Sequence, residues 1–458
     1  MRFILLILAV LTIFFIARDV FAEESAKPSK STVRHAPWSE GAVIYELNTR
    51  QFTAEGTFKA VIPRLKDLRK MGVDILWLMP VHPIGEKNRK GKLGSPYAVK
   101  DYYAVNPEFG TLEDFKALVK AAHGEGMHVI IDIVANHTAW DNPLIEKHPD
   151  WYRKDSNGKI VPPVPDWEDV AHLDYDRPEL RRYMTDMLKF WVKDMGIDGF
   201  RCDVASMVPT SFWNEARKEI DEIRPTFWLA EAEKPELLKE AFDCDYDSEL
   251  YQLFNRIAEK KGHAQDIQAL VKGDSEKYPQ GSWRMLFTSN HDQNSWHKPA
   301  VTRLGETGAQ TFAFLTYVLP GMPLIYNGQE AGNDQQLAFF ERDPIMWKKS
   351  GFLPLYTDLG RLRREHPALW RGNFTPITVA GTPDVFACLR KNSQTGEELL
   401  AIANLSPSER SVSIPVGRKL DSSPECLYRQ REMKMDNGTP CFFLTGWDFG
   451  LYRIKQSR

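Results

Sequence analysis

The sequence predicts an α/β fold: a parallel TIM-type (β/α)8 barrel with a small insertion after its third strand and an all-β sandwich domain at the C-terminal end. Three observations carry the prediction. Eight short apolar, β-branched runs recur between about residues 42 and 330 with helical stretches between them, and such alternation builds a parallel sheet. The alternation is interrupted once, over residues 138–176. From about residue 373 onward, short strands and turns follow one another without helices.

At the start of the chain, residues 1–22 combine a basic second residue, an apolar run at 3–17 and Ala22 before an acidic stretch. This is the pattern of a cleaved secretory signal peptide, and the run is shorter than the roughly 20 residues a spanning helix needs. The expected location is therefore secreted or periplasmic, off the membrane after processing. Residues 23–36 are polar and aperiodic and read as a linker. The barrel is expected over 37–137 and 177–372, its strands in AVIYELN, DILWLMPVHP, HVIIDIVANH, IDGFRCDVA, FWLAEAE, a weak DYDSELYQ, RMLFTSNHD and MPLIYNGQE. Phe58, Val61, Ile62, Leu65 and Leu68 fall at helical spacing, as do Leu112, Phe115, Leu118, Val119 and Ala122, so each stretch can cover the barrel with one apolar stripe. Residues 138–176, rich in Trp, Pro, Asp and His, show no clear helix and read as a lobe over the barrel mouth. ITVAGTPDVFACLRK and ELLAIANLS place the sandwich over 373–458.

Charge and cysteine usage narrow the function classes. Lys and Arg total 59 against 62 Asp and Glu, so no basic excess points to nucleic acid or an anionic membrane. Five cysteines at irregular spacings form neither a dense disulfide framework nor a zinc pattern. Cys426 and Cys441, in the same terminal region, are the one candidate pair.

Parallel barrels build their sites at the C-terminal ends of the strands, and the polar residues collect there. The third run ends in DIVANH (132–137), the fourth carries Arg201 and Asp203, the fifth Glu231, and the seventh Asn290, His291 and Asp292. Alternation puts Arg201 and Asp203 on one strand face and Phe200, Cys202 and Val204 on the other, which makes Cys202 a packing residue. Carboxylates converging on one mouth repel one another, so one should keep its proton while a neighbour stays ionised, with Arg201 placed to hold Asp203 charged. An ionised nucleophile beside a protonated acid is what a retaining glycosidase needs.

Four ordered motifs, DIVANH, GFRCDVA (199–205), LAEAE around Glu231 and SNHD ending at Asp292, resemble those of the α-amylase superfamily of retaining glycoside hydrolases. The resemblance implies a catalytic barrel, an inserted lobe after the third strand and a C-terminal sandwich. It implies Asp203 as nucleophile, Glu231 as acid/base and Asp292 as the carboxylate that holds sugar hydroxyls in the transition state. His137 and His291 are similar to the two histidines that bind the reacting glucose, Arg201 to the arginine supporting the nucleophile, and Tyr97, in SPYAVKDYYAVNPEFG, to the tyrosine that stacks on that glucose. The sequence departs from the pattern after the nucleophile, where Ser206 and Met207 replace a Lys-His pair, and in the inserted lobe, where the motif is only approximated by AHLD (171–174). Asn136 matches a calcium ligand of the family, but one ligand falls short of the six or more oxygens calcium takes, so no cofactor is required and calcium stays open. The expected partner is an α-glucan or oligosaccharide substrate, cleaved at α-1,4 linkages. Transglycosylation or sugar isomerisation would use the same triad, and a non-catalytic carbohydrate-binding protein is a third reading, opposed by the presence of all three carboxylates.

Overall fold

The computed structural model describes residues 28–455, so the signal-peptide reading of 1–22 lies outside the described residues. The barrel is formed by β1 (Ile44–Leu47), β2 (Ile75–Leu78), β3 (His128–Ile133), β6 (Gly199–Cys202), β7 (Phe227–Ala230), β8 (Cys244–Tyr246), β9 (Trp283–Leu286) and β10 (Met322–Tyr326), while β4 (His137–Ala139) and β5 (Val170–His172) lie in the insertion. The barrel closes in the order β1-β10-β9-β8-β7-β6-β3-β2 with every neighbour parallel. Each of the eight runs supplies one strand.

Period-2 alternation divides the apolar residues between two cores. In β2, Ile75 and Trp77 join Ile44, Ile130, Leu229 and Leu324 in the lumen, whereas Leu76 and Leu78 face outward into the layer beneath the helices, which also takes Phe200 and Cys202. The weak sixth run is only half a strand. After Tyr246 the Asp247 side chain accepts from Leu250 N–H and starts a helix over Ser248–Ala258, so SELYQ is helical. The first helical stripe is also broken: Phe58–Val61 and Leu65–Met71 are joined by a 3₁₀ turn at Ile62–Arg64, where Pro63 has no N–H to give. Gly72, at φ 112°, then ends it, and a Cβ there would meet Gly360 Cα at 2.7 Å. The second stripe is one helix, Leu112–Gly124, begun by a Thr111–Asp114 capping box.

Within the insertion, β4 and β5 pair antiparallel with His137 opposite His172. A one-turn helix at Leu144–Lys147 lies between them, too short to show in the periodicity. The C-terminal strands are β11 (Asn373–Ile377), β12 (Val385–Lys391), β13 (Glu398–Asn404), β14 (Arg410–Ser413), β15 (Glu425–Tyr428), β16 (Met433–Asp436), β17 (Thr439–Leu444) and β18 (Phe449–Arg453). They form a five-stranded sheet, β11-β12-β13-β18-β15, and a three-stranded sheet, β14-β17-β16, around a core including Leu400, Ile402, Val412 and Phe442. Phe449 stacks on Phe314 of the helix Glu306–Val318, between β9 and β10, at 4.7 Å, tying this unit to the barrel. The candidate disulfide is not formed: Cys426 lies on β15 of one sheet and Cys441 on β17 of the other, and both are free thiols. No helix among the described residues is long and apolar enough to cross a membrane.

Candidate active site

Asp203 and Glu231 each stand one residue beyond a barrel strand. Because β6 and β7 are in register at Cys202 and Ala230, these next residues meet at the mouth. The ladder continues past the strand ends: Asp203 N–H donates to Ile133 O at 2.9 Å, and Glu231 N–H to Cys202 O at 3.0 Å. Val204 then turns the chain at φ 36°, ψ 47°, a left-handed conformation that a β-branched residue takes only where its surroundings impose it. That turn aims the Val204 N–H at Glu231 Oε2, 2.7 Å away, so the backbone leaving one carboxylate grips the other.

Arg201 is the hub beneath them. Fully buried in the lumen, its Nη1 donates to both oxygens of Asp132 (2.8 and 2.9 Å) and to Asp203 Oδ1 (3.2 Å), and its Nη2 lies 2.9 Å from Glu231 Oε2. A second chain of contacts crosses the mouth. Tyr97 Oη donates to Asp132 Oδ2 at 3.1 Å and meets His291 Nε2 at 2.8 Å; His291 Nδ1 is bonded to Glu46, and Nε2 stands 3.3 Å from Asp292 Oδ2. His137 Nε2 lies 4.0 Å from Asp203 Oδ2.

Electrostatics separate these groups. Burial pushes Asp203 up from the ordinary carboxylate range, and the charge of Glu231 adds to this against the pull of Arg201. Burial likewise pushes Asp132 up to about 6 although Arg201 opposes it. The expectation that Arg201 would hold Asp203 charged is overturned in direction, because burial and Glu231 outweigh a guanidinium divided among three carboxylates. The proton so retained belongs to the coupled group as a whole. The histidines diverge: burial pushes His137 down to about 3, whereas at His291 burial is outweighed by Asp292 and Glu46, which raise it to about 9. At neutral pH His137 is neutral and His291 is a cation that donates from both ring nitrogens.

Six of the residues singled out from sequence, Tyr97, His137, Asp203, Glu231, His291 and Asp292, line one cavity of about 300 Å³. Arg201 lies beneath it. Asn136 is buried behind it, its Nδ2 3.2 Å from His137 Nδ1. Sequence reading placed Asp132 at the end of the third run without a role and did not single out Glu46; they are buried on β3 and β1 as the counter-charges of Arg201 and His291. A signal existed for both, an acid within an otherwise apolar strand. It missed the aromatic walls too: Trp167 and Phe339 lie in loops without periodicity, and Trp296 lies in a five-residue π-helical turn, Gln293–His297, too short to show one. Trp296 is half exposed, and its Nε1 donates to Asp292 Oδ1 at 3.2 Å.

Leu173 N–H donates to the Asn136 carbonyl, and the next residue, Asp174, is already engaged by Arg153 (3.1 Å) and Arg177 (3.6 Å). Ser206 and Met207 lie in a 3₁₀ turn, Ala205–Met207, rather than presenting the family's Lys-His pair.

The profile described as "Alpha amylase, catalytic domain" matches residues 21–163 and 164–351, more than half of the chain. The chain belongs to the α-amylase family. The α-amylase MalA of Haloarcula japonica is 28% identical over 83% of this chain and 58% of its own length. An α-1,4-glucan:maltose-1-phosphate maltosyltransferase of Cereibacter sphaeroides is 31% identical over 79% of this chain and 66% of its own. The chain thus spans about three-fifths of the first of these relatives. A noncanonic maltogenic α-amylase, AmyB of Thermotoga neapolitana, superposes with a TM-score of 0.84 at 31% identity, covering 92% of this chain and 100% of that one. An α-amylase of Lactobacillus plantarum gives 0.81 at 32% identity, over 90% and 98%.

Proposed function

We propose that this α-amylase family member is a retaining α-glycosidase acting on α-1,4-glucans or maltooligosaccharides. The observation that carries the reading is the joining of Asp203 and Glu231, on adjacent strands, through Arg201 at the floor of one cavity that also holds Asp292. Asp203 attacks the anomeric carbon while Glu231 gives its proton to the departing glycosidic oxygen, leaving a β-linked glycosyl-enzyme. Glu231, now a carboxylate, takes a proton from water, which attacks the same carbon, releases Asp203 and restores the α configuration. Burial and the neighbouring negative charge of Glu231 raise Asp203, and Arg201, which stands against both carboxylates, opposes that rise. Asp292 and the His291 cation face the same sugar as hydrogen-bonding partners for its hydroxyls, Tyr97 offers a ring face, and neutral His137 a further polar contact.

Two experiments test the reading. Proton NMR of the anomeric signals early in turnover should show the α anomer first, and a β anomer would remove Asp203 from the nucleophile role. Glu231→Gln should be partly spared on a glucosyl fluoride, whose leaving group needs no proton, while equal losses on fluoride and natural glucan would take the acid role from Glu231.

The maltosyltransferase relatives favour a second outcome of the same intermediate, attack by another acceptor in place of water. Products formed with maltose as added acceptor distinguish transfer from hydrolysis. The pattern of residues 1–22 supports action outside the cytoplasm. N-terminal sequencing of the exported protein should begin near residue 23, and a start at Met1 would reject the signal-peptide reading.

A further inference from the structure

Residues 85–94, in the loop after β2, are fastened to the loops on both sides of them, and Lys90 among them lines the cavity. On one flank this loop is fastened to the insertion: Lys90 Nζ donates to Asp166 O at 2.7 Å and stands 3.5 Å from Asp169 Oδ1. On the other flank it is fastened to the loop after β10: Leu93 N–H donates to Phe340 O at 3.2 Å, and Lys92 N–H to Glu341 Oε1 at 2.9 Å. Gly91, at φ 63°, seats so closely that a Cβ would come within 2.5 Å of Phe340 Cβ. Arg50, buried below, donates to Gly94 O (3.1 Å) and Leu93 O (3.3 Å) and so holds the bridge from underneath. Lys90, Asp169 and Phe340 all line the cavity.

Strand order locates this bridge relative to the chemistry. Around the closed barrel β1 is flanked by β2 and β10, and β7, which precedes Glu231, is four strands away in either direction. The bridge, carried by the loops after β2 and β10, therefore spans the sector opposite the acid. The leaving group departs over Glu231. In a 1,4-linked glucose the 4-oxygen lies across the ring from the scissile bond, so a further sugar on that oxygen is directed towards the bridge.

We propose that this bridge, clasped by Lys90 and Asp169, closes the site at the non-reducing side and makes the protein exo-acting, cutting short products from non-reducing chain ends instead of accepting the middle of a chain. The inference rests on the glucan-cleaving reading above and names the specificity of that site. Negative selection of this kind needs only a wall where the wrong substrate would continue.

The test compares maltoheptaose with maltoheptaose whose terminal 4- and 6-hydroxyls carry an ethylidene block, measured by reducing-end release and by product chromatography. The protein should cleave the free oligosaccharide to short products and the blocked one at least about tenfold more slowly. Lys90→Ala, and a variant with residues 88–92 replaced by two glycines, should narrow that ratio towards one and release longer products. Equal rates on the two substrates with unmodified protein would overturn the inference and leave the glucan reading standing. Discrimination unchanged in the shortened-loop variant, with its melting temperature retained, would also overturn it, by moving the block elsewhere. Cleavage of neither substrate would overturn the glucan reading and the inference with it.

Discussion

At the N-terminal end of the barrel, Asp74, Asp198 and Asp243 each stand one residue before a strand; at the C-terminal end, Asp203 and Glu231 each stand one residue after one. The lower acids are surrounded by donors. Each accepts a backbone N–H from the start of the neighbouring strand or the residue before it, Asp74 from Val43 at 3.0 Å, Asp198 from Val129 at 2.8 Å and Asp243 from Trp228 at 2.8 Å. Asp198 adds His123 at 2.7 Å, and Asp243 adds Arg217 at 2.8 Å and His35 at 2.6 Å. Despite burial, these partners hold Asp198 down at about 2 and keep Asp243 below the ordinary range. At the mouth the balance reverses, because three carboxylates share Arg201 and burial wins. The same residue type secures strand starts at one end and stores a proton at the other, and the deciding quantity is donors per carboxylate.

Substitutions at the two ends should separate these roles. Asp203→Asn should lower kcat by about 10⁴-fold or more, since the nucleophile has no substitute. Its melting temperature should hold or rise, because a repelling buried charge is removed. A large drop in melting temperature would make Asp203 a structural residue. Asp243→Asn should do the opposite. Leaving buried Arg217 short of its partner should cost about 3 kcal/mol in denaturant unfolding, while the folded fraction retains its turnover. A loss of kcat at unchanged stability would contradict the comparison.

Titration separates the ends next. The folded-state value of Asp198 is depressed, so its stabilisation is present above the unfolded carboxylate value of about 4 and is lost as pH falls towards about 2. Asp198→Asn should flatten that acid limb in urea melts. Asp203 is raised, so its ionised form, and with it kcat/KM, should fade at a higher pH than the fold does. An acid limb of activity coincident with acid unfolding would show that the mouth is not tuned separately. The smallest expected effect is that of chelation. With Asp174 held by two arginines and one amide in Asn136, EDTA should leave activity and melting temperature nearly unchanged. A loss restored by calcium would reveal a cation site in the insertion.

By itself the sequence determined the number and order of barrel strands and the residues that end them, because strand period and strand termination are local properties: Arg201 and Asp203 share a face whatever packs around them. It also placed Cys202 under the helices and marked 138–176 as a departure. Tertiary structure decided the partners. That Asp132 would meet Arg201, and Glu46 His291, depends on registry across a closed barrel between strands far apart in the chain. Closure also divided one guanidinium among three acids and raised Asp203, which no reading of neighbours along the chain could anticipate. The thiols of Cys426 and Cys441 lie on different sheets because β18, arriving last, pairs with β15 and leaves β17 to β14 and β16. Trp167, Phe339 and the Lys90 bridge belong to loops, and Trp296 to a single π-helical turn, segments that carry no readable period and are positioned only by the barrel that brings their ends together.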